Sequence, residues 1–371
     1  MVSTLEATEI VGRRLDELDT PFLVLDIDRF ERNIRAISGA LAEHGVAWRP
    51  HAKGHKSPVL ARRQVAAGAI GVTVAKVSEA EFMVAGGIES VLLVTEPGTP
   101  GKMARVAALQ RSAEVIVPVD DPVQVEFASA AAVAAGVTIP IVIELDIGMH
   151  RCGVLQGEPA LRLARLVAAM PGLRFAGIFG YEGHVLTVWP VADKEAATRE
   201  AIGQLASTRA LLESEGLPCP IVSTGGTGSF RYTATLPGIT EIQAGGGSLL
   251  DRFYTEQCHV EGLEYALTVR SSVVSRPAPD RAVTDSGWKT MSISHGVPMV
   301  VDRPGVTVAS LSAEHGVLAV APEAADLAIG DPVTFIPGYH DSTVVLHDRF
   351  IGVRDGLVVE VFPIVARGAL A

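Results

Sequence analysis

Short β-rich apolar runs alternate with helical stretches through the first two thirds of the chain. The run at 22–26 reads as a strand, and Asp28 then caps a helix that gathers Phe30, Ile34, Ile37 and Leu41 on one face. A short strand, Val46-Ala47-Trp48, leads into Arg49-Pro50-His51-Ala52-Lys53-Gly54-His55-Lys56. Apolar runs follow at 70–74, 91–94, 115–119, 139–146, 175–179, 220–223 and 239–243, with Ala-rich helical segments between most of them. Counted from Val46 these make eight strands, and eight parallel strands alternating with helices predict a (β/α)8 barrel, the TIM architecture. Beyond about residue 262 the helical periodicity gives way to Val-rich runs broken by Pro and Gly, at 267–275, 316–320, 332–336 and 356–361. That texture predicts a second, mostly β domain. The expected division is a barrel over residues 20–262 and a C-terminal β domain over 263–371, joined by residues 1–19.

Composition narrows the partners. With 371 residues, 48% of them hydrophobic, the chain can bury a large core. A formal net charge of -11 leaves no excess of Lys and Arg to neutralise phosphates, which argues against nucleic acid and an anionic membrane surface. A small polar substrate is expected instead. Cys152, Cys219 and Cys258 show no metal-ligand spacing, and an odd few fits a reducing compartment better than a disulfide framework. The first residues, Met1-Val2-Ser3-Thr4-Leu5-Glu6, lack a basic segment followed by an apolar run. No uninterrupted apolar run of about twenty residues occurs elsewhere, so a cytoplasmic protein is expected.

Lys53 follows the apolar end of the first barrel strand, with Arg49, His51, His55 and Lys56 close in sequence. An amine that is desolvated or flanked by cations has a lowered pKa and forms Schiff bases with carbonyls; the same cluster also suits an anion site or a solvated basic turn. Two glycine clusters bear on the choice. Thr224-Gly225-Gly226-Thr227-Gly228-Ser229 follows the seventh strand, and Ala244-Gly245-Gly246-Gly247-Ser248 follows the eighth. In barrels those two loops often hold a phosphate, because glycine lets backbone N–H groups approach an anion. Pyridoxal phosphate suits both the lysine and the cradle, and so does a sugar phosphate handled by an aldolase.

Four stretches in this order carry a resemblance: Arg49 to Lys56, Asp146-Ile147-Gly148-Met149-His150-Arg151-Cys152-Gly153-Val154, Tyr181-Glu182-Gly183-His184, and Thr224 to Ser229. Together they resemble the D-threonine aldolase and D-serine dehydratase group of the alanine-racemase-like, fold-type III pyridoxal phosphate enzymes, from about Asp19 to Arg367. The resemblance implies a Schiff base on Lys53, with Lys56 a surface or phosphate-side cation. It puts Arg151 at the cofactor, and makes Tyr181 and Gln243 candidates to face the pyridine nitrogen. Thr227, Gly228, Ser229, Gly245 and Gly246 form the implied phosphate set, and His184 is a candidate to exchange protons near neutral pH. Asp285, Gly287 and Lys289 fall in a turn with a structural role.

Near the C-terminus the chain departs from the pattern. In the family this segment carries a metal pair, His-x-Asp in aldolases and His-x-Cys in dehydratases. Registered on Thr343, Asp341 takes the acidic position, Tyr339 stands where the histidine would be, and His340 is one place late. If the segment is a strand, His340 and Asp341 point to opposite faces unless a bulge intervenes. A carboxylate prefers Mn or Mg to Zn, so the expected divalent metal is one of these, held by His340 and Asp341, with Tyr339 and Asp341 as the alternative base. The implied activity is cleavage of a D-β-hydroxy-α-amino acid to glycine and an aldehyde, catalysed through Lys53, His184, Tyr339 and Asp341. Dehydration to an oxoacid and ammonia is the first alternative, and a cofactor carrier without chemistry the second. A homodimer is the expected assembly.

Overall fold

The computed structural model describes residues 9–371. Phe22–Asp26 forms β1, and the helix Ile27–Ala42 follows with Phe30, Ile34, Ile37 and Leu41 all buried. Its cap is Asp26, not Asp28: the Asp26 carboxylate accepts from the Arg29 N–H at 2.9 Å, while Asp28 already lies in the first turn. The barrel strands come next: β2 (Ala47–Trp48), β3 (Val72–Val74), β4 (Ser90–Leu93), β5 (Glu114–Val119), β6 (Ile139–Glu144), β7 (Leu173–Phe179), β8 (Ile221–Thr224) and β9 (Glu241–Ile242). These are the eight runs expected from the sequence.

All eight are parallel, in the order β3-β4-β5-β6-β7-β8-β9-β2. The ring closes through a parallel bridge between His51 and Thr73, with the Thr73 N–H on the Pro50 carbonyl at 2.9 Å. All six residues of β6 are buried, as befits a parallel strand covered on both faces. Leu92, Ile116, Val142, Ala176 and Phe179 form one apolar cluster across neighbouring strands. Arg49 does not join the lysine cluster. Its guanidinium meets the buried Glu241 carboxylate at 2.9 Å and the Ser90 hydroxyl at 2.8 Å, at the start of β4.

The remaining strands are β10 (Leu267–Ala278), β11 (Arg281–Thr284), β12 (Met299–Val300), β13 (Val306–Leu311), β14 (Gly316–Val320), β15 (Pro332–Ile336), β16 (Arg349–Arg354) and β17 (Leu357–Pro363). They form one mainly antiparallel sheet in the order β13-β14-β11-β10-β1-β16-β17, with β15 also on β10 and β12 on β15. Along β10 burial alternates over Leu267 to Val273, the period of a half-covered strand. The Asp285 carboxylate binds the hydroxyls of Thr20 and Ser271 and the Ser272 N–H, so it ties this sheet together.

The expected domain boundaries shift for a physical reason. β1 pairs antiparallel with β10 and parallel with β16, so it belongs to the β sheet and not to the barrel. By contact, one unit comprises residues 37–53, 58–245 and 369–371, and the other takes the chain up to residue 36 with 54–57 and 246–368. The expected linker 1–19 lies partly outside the described residues; Gly12 and Arg13 within it exchange backbone hydrogen bonds with Val358 of β17.

Candidate active site

Lys53 stands in a single 3-10 turn, Ala52–Gly54, just past the carboxyl end of β2, where active sites of such barrels gather. The residue is half-buried, and its backbone N–H donates to His51 Nδ1 at 3.2 Å. The His51 N–H donates to the Gln243 carbonyl at 3.1 Å, and a Cβ on Gly245 would lie 2.2 Å from the His51 carbonyl oxygen. Only glycine allows that approach, so the lysine turn and the loop after β9 are packed together.

The loop after β8 is organised by Glu182, a fully buried carboxylate to which sequence reasoning assigned no role. Its Oε2 accepts from the Thr224 hydroxyl at 2.9 Å and the Gly225 N–H at 3.1 Å. Its Oε1 accepts from the hydroxyls of Ser229 at 2.8 Å and Thr233 at 2.7 Å. The Ser229 hydroxyl also accepts from the Gly226 N–H at 3.2 Å, so this buried side chain fixes the loop and does not reach out to an anion. The Gly228 N–H, by contrast, finds no acceptor among the described residues.

Tyr181 lies against this loop: a Cβ on Gly226 would come 3.1 Å from its ring, and one on Gly183 would come 2.6 Å. Arg151 reaches over the same ring, 5.9 Å from the centroid, and contacts Glu144 at 3.4 Å. Gln243 donates to the Ser223 hydroxyl at 2.9 Å. His184 is exposed, with its ring against Gly148 of the loop after β6. Burial pushes the Glu144 carboxyl up to about 9, helped by its neighbour Glu96 and opposed by Arg151. Lys56 corrects an expectation: it is buried at a positive φ of 50° and is no surface cation.

The C-terminal segment corrects another. Residues His340–Val344 form a helical turn, not a strand, with Tyr339 as its N-cap. Successive residues on a helix are about 100° apart, so His340 and Asp341 converge without a bulge: His340 Nε2 is 3.0 Å from Asp341 Oδ1. The imidazole is fully buried, and its Nδ1 is 2.5 Å from Asp251 Oδ2, which also accepts the His340 N–H at 2.8 Å. Nε2 is held to Asp341 Oδ1 by charge, without the alignment of a hydrogen bond. The Tyr339 hydroxyl donates to Asp341 Oδ2 at 2.7 Å. Burial lowers the imidazole pKa, but the charges of Asp251 and Asp341 outweigh it and raise the value to about 10. Gly54, the chain neighbour of Lys53, abuts this group: a Cβ there would lie 2.6 Å from His340 Nε2 and 3.0 Å from Asp341 Oδ1.

Residues 25–248 match the alanine racemase N-terminal domain family, and residues 266–353 match the putative serine dehydratase domain family. The D-threonine aldolase of Arthrobacter sp is 38% identical over 359 residues, 96% of this chain and 95% of that protein. A 3-hydroxy-D-aspartate aldolase of Paracoccus denitrificans (strain Pd 1222) is 38% identical over 366 residues, covering 96% and 94%. The crystal structure of D-threonine aldolase from Filomicrobium marinum superposes with a TM-score of 0.94 at 40% identity, covering 97% of this chain and 99% of that one. The chain belongs to the D-threonine aldolase group of the alanine-racemase-like family.

The arrangement suits the cofactor that this family implies. A half-buried lysine at the barrel mouth and a glycine loop with the open Gly228 N–H are the amine and the backbone donor that such a cofactor needs for a covalent anchor and its phosphate. A divalent cation also fits. Ligand atoms at right angles on a cation with ~2.1 Å bonds lie about 3.0 Å apart, and His340 Nε2 and Asp341 Oδ1 are 3.0 Å apart. Asp251 on Nδ1 is the usual outer partner of a ligating histidine, and a metal at Nε2 would displace the proton that the two carboxylates hold on the ring. Asp251 and Glu182 are the residues that sequence reasoning missed. Asp251 has no local motif, and Glu182 sits unremarked inside the quoted Tyr181-Glu182-Gly183-His184.

Proposed function

We propose that the chain is a pyridoxal phosphate-dependent lyase that cleaves D-β-hydroxy-α-amino acids of the D-threonine type to glycine and an aldehyde. The observation that carries this reading is the pairing of buried His340 with half-buried Asp341 against Gly54, next in the chain to Lys53. It offers a base or metal ligand for a β-hydroxyl beside the lysine that anchors the cofactor. When bound, the cofactor supplies the electron sink for the electron pair of the broken Cα–Cβ bond. Lys53 anchors it covalently, and Thr227, Gly228, Gly245 and Gly246 offer backbone donors to its phosphate. Arg151, Tyr181 and Gln243 orient the ring. His184, on the exposed side, exchanges protons with solvent.

Asp341 removes the β-hydroxyl proton, and an equal uptake at Cα balances it as the aldehyde leaves. His340 and Asp341 would hold Mn or Mg, which would polarise the hydroxyl oxygen; the Tyr339 hydroxyl steadies the second Asp341 oxygen. A carboxylate in the acidic position, where dehydratases carry a thiolate, favours aldol cleavage over dehydration. Incubation with D-threonine, D-serine and D-3-hydroxyaspartate, with aldehyde and oxoacid measured separately, tests the reading. Glycine and aldehyde from D-threonine are expected; oxoacid and ammonia as the main products would replace it with the dehydratase. We further expect a cytoplasmic homodimer. All three cysteines are free, which suits a reducing compartment, and no helix among the described residues is long and apolar enough to cross a membrane.

A further inference from the structure

Three barrel strands end in acid. Glu96 follows β4, Asp120 follows β5 and Glu144 closes β6. The loop after β6 circles round to run beside its own strand in the same direction: Leu145 pairs with Val154 in a parallel bridge, and a Cβ on Gly153, at φ +102°, would lie 2.5 Å from the Asp146 nitrogen. The Gly153 N–H is fastened to Asp120 at 2.9 Å. This circuit carries Cys152 to the strand ends, where one oxygen each of Glu96 and Asp120 and the Cys152 sulfur all lie within 4.8 Å of one another.

An acidic cluster with a thiol is unremarkable on an exposed surface. Here a second observation points to a ligand. Glu144, only 3% exposed, faces Glu96, which it can hydrogen-bond only while one of the two carboxyls keeps a proton; no other donor reaches its buried Oε2 or the buried Oε1 of Glu96. The positive charge at hand is the partly exposed Arg151 guanidinium, 3.4 Å from the other Glu144 oxygen. Buried carboxylate oxygens are ordinarily matched by donors or by a cation. In a tetrahedral site with bonds of ~2.0–2.3 Å the ligand atoms stand about 3.5 Å apart, so small side-chain movements would close the cluster around an ion. Oxygen ligands with one sulfur favour a borderline cation over Mg or Ca.

We propose that the carboxyl ends of β4, β5 and β6 form a divalent-cation site made of Glu96, Asp120, Glu144 and Cys152, suited to Zn2+. The site is built wholly within the barrel unit and shares no residue with the His340–Asp341 pair. Its occupation would neutralise the strand-end carboxylates and pin the loop that carries Arg151. Binding converts the Cys152 thiol to a thiolate and the Glu144 carboxyl to a carboxylate, with both protons released to solvent.

The test uses the chelated holoenzyme and its His340→Ala/Asp341→Ala variant, which lacks the other candidate ligands. Zn2+ is added, and bound metal is measured by elemental analysis after gel filtration. Alkylation of Cys152 by iodoacetamide is followed by peptide mass spectrometry. With free Zn2+ at about ten times the dissociation constant, roughly one site in eleven is open and alkylation slows about tenfold. Retention of one Zn2+ by the His340→Ala/Asp341→Ala variant is expected. Cys152→Ser should lose it, and Glu144→Gln should weaken it about 10–100-fold. With Co2+ as the probe, a thiolate charge-transfer band that Cys152→Ser abolishes would support the proposal independently. If Zn2+ leaves the alkylation rate unchanged, and Cys152→Ser and Glu144→Gln bind as much metal as their parent, the proposal is overturned and Glu96 and Glu144 simply share a proton.

Discussion

Replacing Glu182 with Leu removes a single carboxylate that accepts from Thr224, Gly225, Ser229 and Thr233. Each hydrogen bond to a charged group is worth about 1.5–3 kcal/mol, and a buried donor left alone costs about 1–3 kcal/mol. The hydroxyls of Thr224, Ser229 and Thr233 can rotate towards other acceptors, whereas the Gly225 N–H cannot. Contributions within one network do not add, so we expect a loss of about 3–5 kcal/mol in stability, most of it from Gly225 and from the collapse of the loop. Glu182→Gln discriminates the cause. Its amide nitrogen must face either the Oε2 donors, which include the fixed Gly225 N–H, or the Oε1 donors, which are both hydroxyls. The second orientation is the tolerable one and limits the cost to about 1–2 kcal/mol. Since this loop also offers the Gly228 N–H to the cofactor phosphate, affinity for pyridoxal phosphate should fall in the same order, at about tenfold per 1.4 kcal/mol of lost binding energy. Urea denaturation of the apoprotein gives the first quantity and titration with pyridoxal phosphate the second. If Glu182→Leu keeps stability within about 0.5 kcal/mol and leaves cofactor affinity unchanged, the carboxylate does not organise the loop.

Lys53→Ala should abolish the visible absorption of the bound cofactor, and borohydride should fix the label to the Lys53 peptide; a label on Lys56 or Lys76 would refute the anchor. Asp251→Asn frees His340 to take the other tautomer and should weaken Mn2+ binding about 10–100-fold, while Tyr339→His should tighten it. Full activity after exhaustive EDTA treatment, with no metal by elemental analysis, would sink the metal-assisted route and leave Tyr339 with Asp341 as the base. In EDTA, Glu144 should make stability fall as pH rises. Its folded pKa of about 9 lies above the ordinary 4.5, so the folded chain holds a proton that the unfolded chain has lost. That contribution is complete below pH 4.5 and drains away towards pH 9, at no more than about 1.4 kcal/mol per pH unit. Denaturation at pH 6 and pH 8 checks it, and a decline that Glu144→Gln does not diminish would contradict the assignment.

The eight barrel strands were legible because each is a short apolar run between helical segments, and in a parallel sheet covered on both faces that run is itself the signal. Lys53 and the glycine loops stood out in the sequence because covalent anchoring and anion binding demand particular residue types in particular places. The membership of β1 was not, since an apolar strand ahead of a barrel reads the same whether it pairs with the barrel or with β10 and β16 more than two hundred residues later. Nor was the conformation of residues 339–344: alternation on a strand would have parted His340 from Asp341, and a helical turn brings Nε2 and Oδ1 to 3.0 Å. Buried partners were the least visible of all. Asp251, Glu182, Glu96 and Glu144 are ordinary acids in the sequence. Only the fold decides that one meets a histidine, one gathers a loop and two are left facing each other, because such pairings follow from which strand ends and loops the chain brings together.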